Sequence, residues 1–545
     1  MPREKKKKQA KKEPKKINKL ALFLLGIILL YAVIYSIKFY GGPSYFGDDN
    51  AYSGFAYQVV HGQFTQNTDI LSVRIMQIYP IAFFYWISNY SFYANAAWDI
   101  LSYLATIIIV FYLGRELYND YVGVLGSLLF AFFPMMAILS VTISDNPTMT
   151  FFVSFGMLSL LYARKKGSKL WYMLSGMSFM GAFLIIPLGL IALATAIFYL
   201  IIEFLRGKLD RRVINFGLGI LIVLLLLFAF NYLTTKQPLI TFTTTFSFYD
   251  TVGGPNAIQP ANTNFPFYFQ VMFPYKITSV ILYNLKHPNF NPISLWNQIY
   301  VVNYNWVGFY FYFGVAAILY LLYKKEKRAY FVLFWFIIAF LLMEFDPLHV
   351  SLSPFVYLLQ HRLERYLTLI AAPLAVLISM AIVRFCEGAK RNWKYLRYAI
   401  SAIIVIFLIA TAIPVTLLYN HILAVEAYDN IKISNYLSTL PNTTRIYLLS
   451  GQFVEEDMQY RNPQSSYLIY DEITNCSAIL PNSYIIVPKY VEEYNIPFTP
   501  NPNMYCPTWQ LVLYPNDPTN YSQDVLGPAD VFRTQLYYVP GNQTT

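Results

Sequence analysis

Charge is scarce in this chain. Asp, Glu, Lys and Arg make up 13% of its 545 residues, while 57% are hydrophobic. A soluble globular domain carries about twice that share of charge, and a disordered chain is far less apolar, so both classes are excluded. Cysteine is nearly absent as well. Three are present, with no CxxC and no Cys/His cluster, so nothing has the spacing of a zinc site. Cys476 and Cys506 remain a candidate disulfide if their segment faces an oxidising compartment. Internal repeats are also missing, which counts against a transporter built from inverted halves.

What positive charge there is lies almost all at one end. Residues 1–19 hold nine lysines and Arg3 against Glu4 and Glu13, which accounts for +8 of the formal +11. A basic surface for nucleic acid is thereby excluded over the rest of the chain. A lysine-rich tail directly before an apolar run fits a cytoplasmic flank, where Lys and Arg are in excess. The run Leu20–Ile37 has no charge and no small-residue cleavage pattern after it, so it reads as a retained span.

Apolar runs long enough for a bilayer of about 30 Å recur along the chain. Eleven spans are expected, near residues 20–40, 96–113, 121–141, 147–163, 170–186, 188–205, 213–233, 305–323, 329–343, 366–385 and 398–418. Ile75–Ile87 is apolar and aromatic but short, which suits a re-entrant or interfacial segment. With the tail inside, the inner loops 115–120, 164–169, 206–212, 324–328 and 384–397 are mostly basic, as the positive-inside tendency demands. The expected organisation is a basic cytoplasmic tail (1–19), a transmembrane domain (20–418) with outer loops 41–95 and 234–304, and an extracytoplasmic soluble domain (419–545). The last begins with a helical pattern at Ala424–Leu440. Strand-like runs follow at Arg445–Leu449, Ser466–Tyr470, Tyr484–Val487 and Trp509–Tyr514, so a small α/β domain is expected. Glycosylation sequons at Asn89, Asn442, Asn475, Asn520 and Asn542 all fall on the side predicted to be outside.

Four polar clusters interrupt the apolar sequence, and this topology puts them all on the outer side. They are Gly47-Asp48-Asp49-Asn50, Ser144-Asp145-Asn146-Pro147, Glu344-Phe345-Asp346-Pro347 and the stretch His361-Arg362-Leu363-Glu364-Arg365-Tyr366. Polar groups at membrane depth are costly and are usually kept for work. Asp48 and Asp49 supply two adjacent carboxylates, one able to act as general base while the other orients the acceptor or holds a cation. Their bland alternative is a pair of solvated loop acids. Ser144-Asp145 before Pro147 is a natural helix start. A capping aspartate is also rigidly held, as a catalytic one should be. His361, Arg362 and Arg365 break the charge rule of the outer side. They could snorkel to headgroups, or hold a lipid-linked phosphate by forked hydrogen bonds. Asp346 and His349 lie together with nothing to complete a metal-ligand set.

With these residues in order, the chain resembles the GT-C superfamily of membrane glycosyltransferases. The likeness is nearest to the branch of protein O-mannosyltransferases and lipid A aminoarabinose transferases. A first span is followed by the acidic pair Asp48-Asp49, then by the Pro-aromatic-Trp segment Tyr79-Pro80-Ile81-Ala82-Phe83-Phe84-Tyr85-Trp86. Asp145-Asn146-Pro147-Thr148 opens a later span. Arg365-Tyr366-Leu367 opens another that runs to Pro373, and a soluble domain closes the chain. Two features depart from that pattern: Tyr79 stands where relatives often have a lysine, and Ile185-Ile186-Pro187 stands at a turn that often carries another. The Trp-Trp-Asp-x-Gly motif of oligosaccharyltransferase catalytic subunits is absent.

The resemblance implies an all-α polytopic fold of about eleven spans and transfer of a single sugar from a polyisoprenyl-phosphate donor to an acceptor on the outer face. The acceptor is a protein or a lipid, and no nucleic acid is involved. Asp48, Asp49 and Asp145 are the implied catalytic carboxylates. Arg362, Arg365, Arg74 and His361 are candidates for the donor phosphate. Tyr79, Tyr85, Trp86, Lys276, Asp346 and Tyr366 are candidates for the substrate groove. No nucleotide sugar is expected at the active site and no cofactor is implied with certainty; a divalent cation is left open because metal dependence varies across the superfamily. Location in a cell membrane goes with this reading, with sequons fitting an archaeal exterior or a eukaryotic secretory lumen and the N-terminal tail leaning toward the archaeal plasma membrane. The alternatives from other classes are a flippase for lipid-linked sugars, which calls for ionisable residues lining a path, and a non-catalytic membrane scaffold that presents the terminal domain.

Overall fold

The computed structural model describes residues 17–39, 48–67, 69–88, 94–253, 307–345, 347–352, 355–359, 364–388, 393–449, 467–470, 479–487, 508–513 and 535–541. The expectations placed on His361, Arg362, Lys276, Asp346, Asn89, Asn475, Asn520, Asn542, Cys476 and Cys506 lie outside these residues. The side chains of Asp49 and His349 do too.

The chain is mostly helical: α1 (Lys19–Phe39), α2 (Asp48–Val60), α3 (Ile75–Ile87), α4 (Ala97–Leu117), α5 (Asp120–Ala131), α6 (Pro134–Leu139), α7 (Asp145–Lys166), α8 (Lys169–Phe183), α9 (Gly189–Leu205), α10 (Ile214–Thr235), α11 (Ile240–Gly253), α12 (Tyr310–Tyr323), α13 (Tyr330–Glu344), α14 (Ala371–Glu387) and α15 (Lys394–Leu437). Among the described residues, five stretches are long and apolar enough to cross a bilayer: Lys19–Phe39, Ala97–Leu117, Arg211–Thr235, Arg365–Glu387 and Lys394–Leu417. The protein is a multi-pass membrane protein.

Local chemistry explains the breaks. The run expected as one span over 121–141 is two helices, because Pro134 has no N–H to continue α5 and instead starts α6. α7 begins at the cap Ser144, whose hydroxyl accepts from the Asn146 amide at 3.4 Å. It ends at Gly167 with φ 58°, a left-handed stop preceded by Arg164-Lys165-Lys166, which complement the negative end of the helix dipole. The helix expected at Ala424–Leu440 is the far end of α15, which continues unbroken from the last span. The boundary expected at 418/419 therefore falls inside a helix, about 66 Å long at 1.5 Å per residue.

α14 is the hub. From Ala371 to Met380 its side chains are almost wholly buried, against α5, α12, α13 and α15. α8 and α10 approach so closely that a Cβ on Gly176 would stand 2.0 Å from the Phe216 carbonyl oxygen. The basic loops gather at one end. Asp120 accepts from the Asn18 amide at 2.9 Å and pairs with Arg115 at 3.0 Å. Lys165 pairs with Glu116, Arg164 with Glu203, and Arg384 with Glu326 at 3.5 Å.

Beyond the bundle, Ile433 and Leu437 of α15 pack with Ile446, Leu448, Ile486 and Leu536 of a five-stranded mixed sheet. Its strands are β3 (Ile446–Leu449), β4 (Tyr467–Tyr470), β5 (Ser483–Val487), β6 (Gln510–Leu513) and β7 (Gln535–Val539), in the order β4-β3-β5-β7-β6. Four of them match the strand-like runs. β7 was not expected, although it is the strand that joins β5 to β6. Also unexpected is the antiparallel hairpin β1 (Pro347–Leu352) and β2 (Phe355–Leu359) between α13 and α14.

Candidate functional site

The segment after α1 does not stay a loop. α2 and α3 pack on each other through Tyr52, Ala56, Ile78, Ile81 and Ala82. α3 spans Ile75–Ile87, the short apolar segment singled out in the sequence. This pair brings two helix starts to the end of the bundle away from the basic loops. Asp48 is the first residue of α2, and Arg74 caps α3. The starts of α4 and α7 meet them there, carrying Asp99 and Asp145. First turns leave backbone N–H groups unpaired and present the positive end of the helix dipole, so they favour carboxylates and anions.

Among the described residues, two ion pairs cross this end. Arg74 donates through Nη1 to Asp145 Oδ2 and to the Tyr52 hydroxyl, each at 2.5 Å. The Tyr52 hydroxyl in turn donates to Asp145 Oδ2 at 3.2 Å, and Asn146 Nδ2 donates to Oδ1 at 2.9 Å. The pair is deeply buried, with side-chain exposures of 9% for Arg74 and 1% for Asp145. Burial pushes the Tyr52 phenol well above its usual range, which keeps it a neutral donor. In the second pair, Arg365 Nη2 donates to Asp48 Oδ2 at 2.8 Å. Both partners are one-third exposed, and Arg365 Nε is buried without a hydrogen-bond partner.

The two pairs belong to one cluster. Arg365 feels the charge of Asp145 as well as that of Asp48, and Tyr366, itself buried, lies within electrostatic reach of all four charged groups. Thr368 ties the turn carrying Arg365 to α7: its hydroxyl meets Asn146 Oδ1 at 3.4 Å, and its carbonyl accepts from Thr150 at 3.4 Å. Carboxylates from early in the chain and a guanidinium from beyond its middle thus converge on one spot.

Other expected site residues sit differently. Arg74, expected on a donor phosphate, is engaged with Asp145. Tyr85 is 1% exposed and packs beside Tyr57 inside the α2–α3 pair, a position unlike a groove wall. Tyr79 meets Phe64 and Phe230 edge-on, and Trp86 is on an exposed face. Asn442 lies exposed in the turn before β3. Among the described residues no three His, Cys, Asp or Glu stand close enough to hold a metal ion. Tyr52, Asn146, Thr368 and the Gln77–Asp99 contact were not foreseen. For Asn146, Gln77 and Asp99 the available signal was a polar side chain in the first turn of a helix; Tyr52 and Thr368 carried none.

Residues 54–232 match the family model described as dolichyl-phosphate-mannose-protein mannosyltransferase. In fold, the chain is similar to ArnT from Cupriavidus metallidurans in the apo state, at 10% identity over 95% of this chain and 98% of that one, with a TM-score of 0.57. The same protein bound to undecaprenyl phosphate matches at 11% identity over 95% and 97%, also with a TM-score of 0.57. The apo oligosaccharyltransferase of Archaeoglobus fulgidus matches at 15% identity over 86% of this chain and 69% of that one, with a TM-score of 0.52. No curated protein matches by sequence. The fold is that of the GT-C membrane proteins. With the matched segment, it bears out the likeness to GT-C superfamily glycosyltransferases read from the order of the motifs.

Proposed function

We propose that this GT-C-type chain transfers a single sugar from a polyisoprenyl-phosphate donor to an acceptor on the outer face of the membrane. The observation that carries the proposal is the meeting of Asp48, Asp145, Arg74 and Arg365 at one end of the bundle. That end lies opposite the basic loops, which fits an outward-facing site under the positive-inside tendency. Two features support a lipid-phosphate donor. ArnT, a structural neighbour, has been seen bound to undecaprenyl phosphate. Arg365, one-third exposed, also offers a guanidinium within reach of an anion at this end of the bundle.

The roles divide by burial. Asp145 is held by Arg74, Tyr52 and Asn146, so it shapes the site and fixes Arg74. Asp48, at the more exposed pair, and its neighbour Asp49 are the general-base candidates. The base takes the acceptor's proton as the acceptor attacks the anomeric carbon. The bond from that carbon to the phosphate oxygen breaks, and the lipid phosphate leaves with the electron pair as an anion. A single displacement of this kind inverts the anomeric centre. Arg365 stabilises the leaving charge, and the donor phosphate competes with Asp48 for its guanidinium, so donor binding frees the carboxylate as a base.

The test uses purified full-length protein and radiolabelled polyprenyl-phosphate mannose, with membrane extract supplying acceptors. Asp48→Asn and Asp49→Asn are compared singly and together. Loss of general-base catalysis is expected to slow transfer by about 10²–10⁴-fold in at least one variant. Wild-type rates in both single variants and in the double variant would reject the proposed base.

A further inference from the structure

We infer that Asp99 is a positioning residue that sets where the Asp145 carboxylate stands, an inference that rests on the glycosyl-transfer reading above. Asp99 is wholly buried in the first turn of α4. A carboxylate withdrawn from water is costly unless it is richly hydrogen-bonded, and one inside a membrane protein is rarer still. Gln77 Nε2 donates to both of its oxygens, at 3.1 and 3.2 Å. The Thr148 hydroxyl donates to Oδ1 at 2.8 Å, and the Ser144 backbone N–H to Oδ2 at 3.3 Å.

The placement of these donors gives Asp99 its role. Ser144 and Thr148 flank Asp145 at the start of α7. Gln77 lies three residues beyond Arg74 at the start of α3. One carboxylate is therefore fastened to both of the helix starts that carry the Arg74–Asp145 pair. The dipole ends of α4 and α7 point the same way and favour its charge.

No isostere reproduces this. A carboxylate accepts at both oxygens, whereas an asparagine sets an NH2 group against one of the incoming donors. In Asp99→Asn, an amide whose oxygen stays on Thr148 would face the Ser144 N–H with another donor and release that end of the turn. Gln77 adds a second sign. Its Oε1 is buried with no hydrogen-bond partner, while its Nε2 is the atom turned to the acid and shared between both carboxylate oxygens. The acid thus dictates the amide's orientation. The groups it holds are those that set the electrostatics of the reaction centre, where a displacement of about 1 Å costs on the order of 10²-fold in rate.

The experiment measures steady-state transfer from polyprenyl-phosphate mannose by the full chain, with thermal unfolding in detergent recorded for every variant. Asp99→Asn is expected to lower kcat by roughly 10–100-fold, with the donor KM changed by less than about twofold, because Arg365 is untouched. Thr148→Val and Gln77→Leu each remove one donor and keep the acid. They are expected to lower kcat by smaller factors, and their effects are expected not to multiply when combined with Asp99→Asn. Should Asp99→Asn fail to fold, the two donor variants carry the test. An unchanged kcat in folded variants, alongside a crippled Asp48→Asn/Asp49→Asn double-variant control, overturns the positioning role while leaving the transferase reading intact. A silent wild type with this donor removes the transferase reading, and the inference falls with it.

Discussion

Removing Arg74 alone is expected to destabilise the protein more than removing Arg74 and Asp145 together. The two side chains are 9% and 1% exposed, so solvent screens their interaction little. Breaking such a pair from one side strands a buried charge and costs about 3–5 kcal/mol. In Arg74→Met the stranded group is Asp145, which keeps Asn146 Nδ2 at 2.9 Å and the Tyr52 hydroxyl at 3.2 Å. Hydrogen bonds to a charged group each contribute about 1.5–3 kcal/mol, so the low end of the range applies, near ~3 kcal/mol. Asp145→Asn leaves the guanidinium with the Tyr52 hydroxyl and an amide oxygen, and should cost somewhat less. The double variant carries no buried charge at this point. It should lie no lower than Arg74→Met, giving a coupling of ~2 kcal/mol. Unfolding in mixed micelles of increasing SDS content, followed by tryptophan fluorescence for all four proteins, reads the cycle directly. Additive losses, or an Arg74→Met variant within about 0.5 kcal/mol of wild type, would refute the reasoning, since surface-like pairs behave that way.

Arg365→Lys keeps the charge but loses the fork, so the donor KM is expected to rise about tenfold with little change in melting, because Asp48 and Arg365 are one-third exposed. Donor titrations of the transfer rate check this, and an unchanged KM would remove Arg365 from phosphate recognition. Gly176→Ala is expected to cost ~1–3 kcal/mol by forcing α8 from α10, given the 2.0 Å approach to the Phe216 carbonyl oxygen. Gly217→Ala, where a Cβ meets nothing within 4 Å, is the matched control and should melt at or above wild type. Equal melting of the two variants would contradict the close packing.

The spans were legible because bilayer thickness leaves one signal, a run of apolar residues. The same signal hid internal breaks. Phe132-Phe133-Pro134 sits inside an unbroken apolar stretch, so hydropathy joined α5 to α6 even though the proline alone marked the stop. The terminal helix pattern was seen but not its continuity with the last span, because nothing between residues 418 and 424 ends a helix and nothing demands one. β7 was missed for a different reason. Gln535-Leu-Tyr-Tyr-Val is short and has a turn signal, Pro540-Gly541, at its far end only, and its strand character comes from pairing on both sides with β5 and β6.

The site divides along the same line. Asp48, Asp145 and Arg365 announced themselves as charges punctuating apolar sequence. Arg74 was recognised as a cation, but its engagement with Asp145, 71 residues away, could not be read from either position. Asp99 and Gln77 lie 22 residues apart, and each by itself is a single polar residue near a span end. Their value arises only when the starts of α3, α4 and α7 face one another. A sequence shows where each helix begins, through its caps, prolines and acids, and so where unpaired N–H groups and positive dipole ends will be. It does not show which of those beginnings will be brought together. In this protein Asp48, Asp99 and Asp145 each accept from a donor outside their own helix, so the proposed chemistry depends on that meeting.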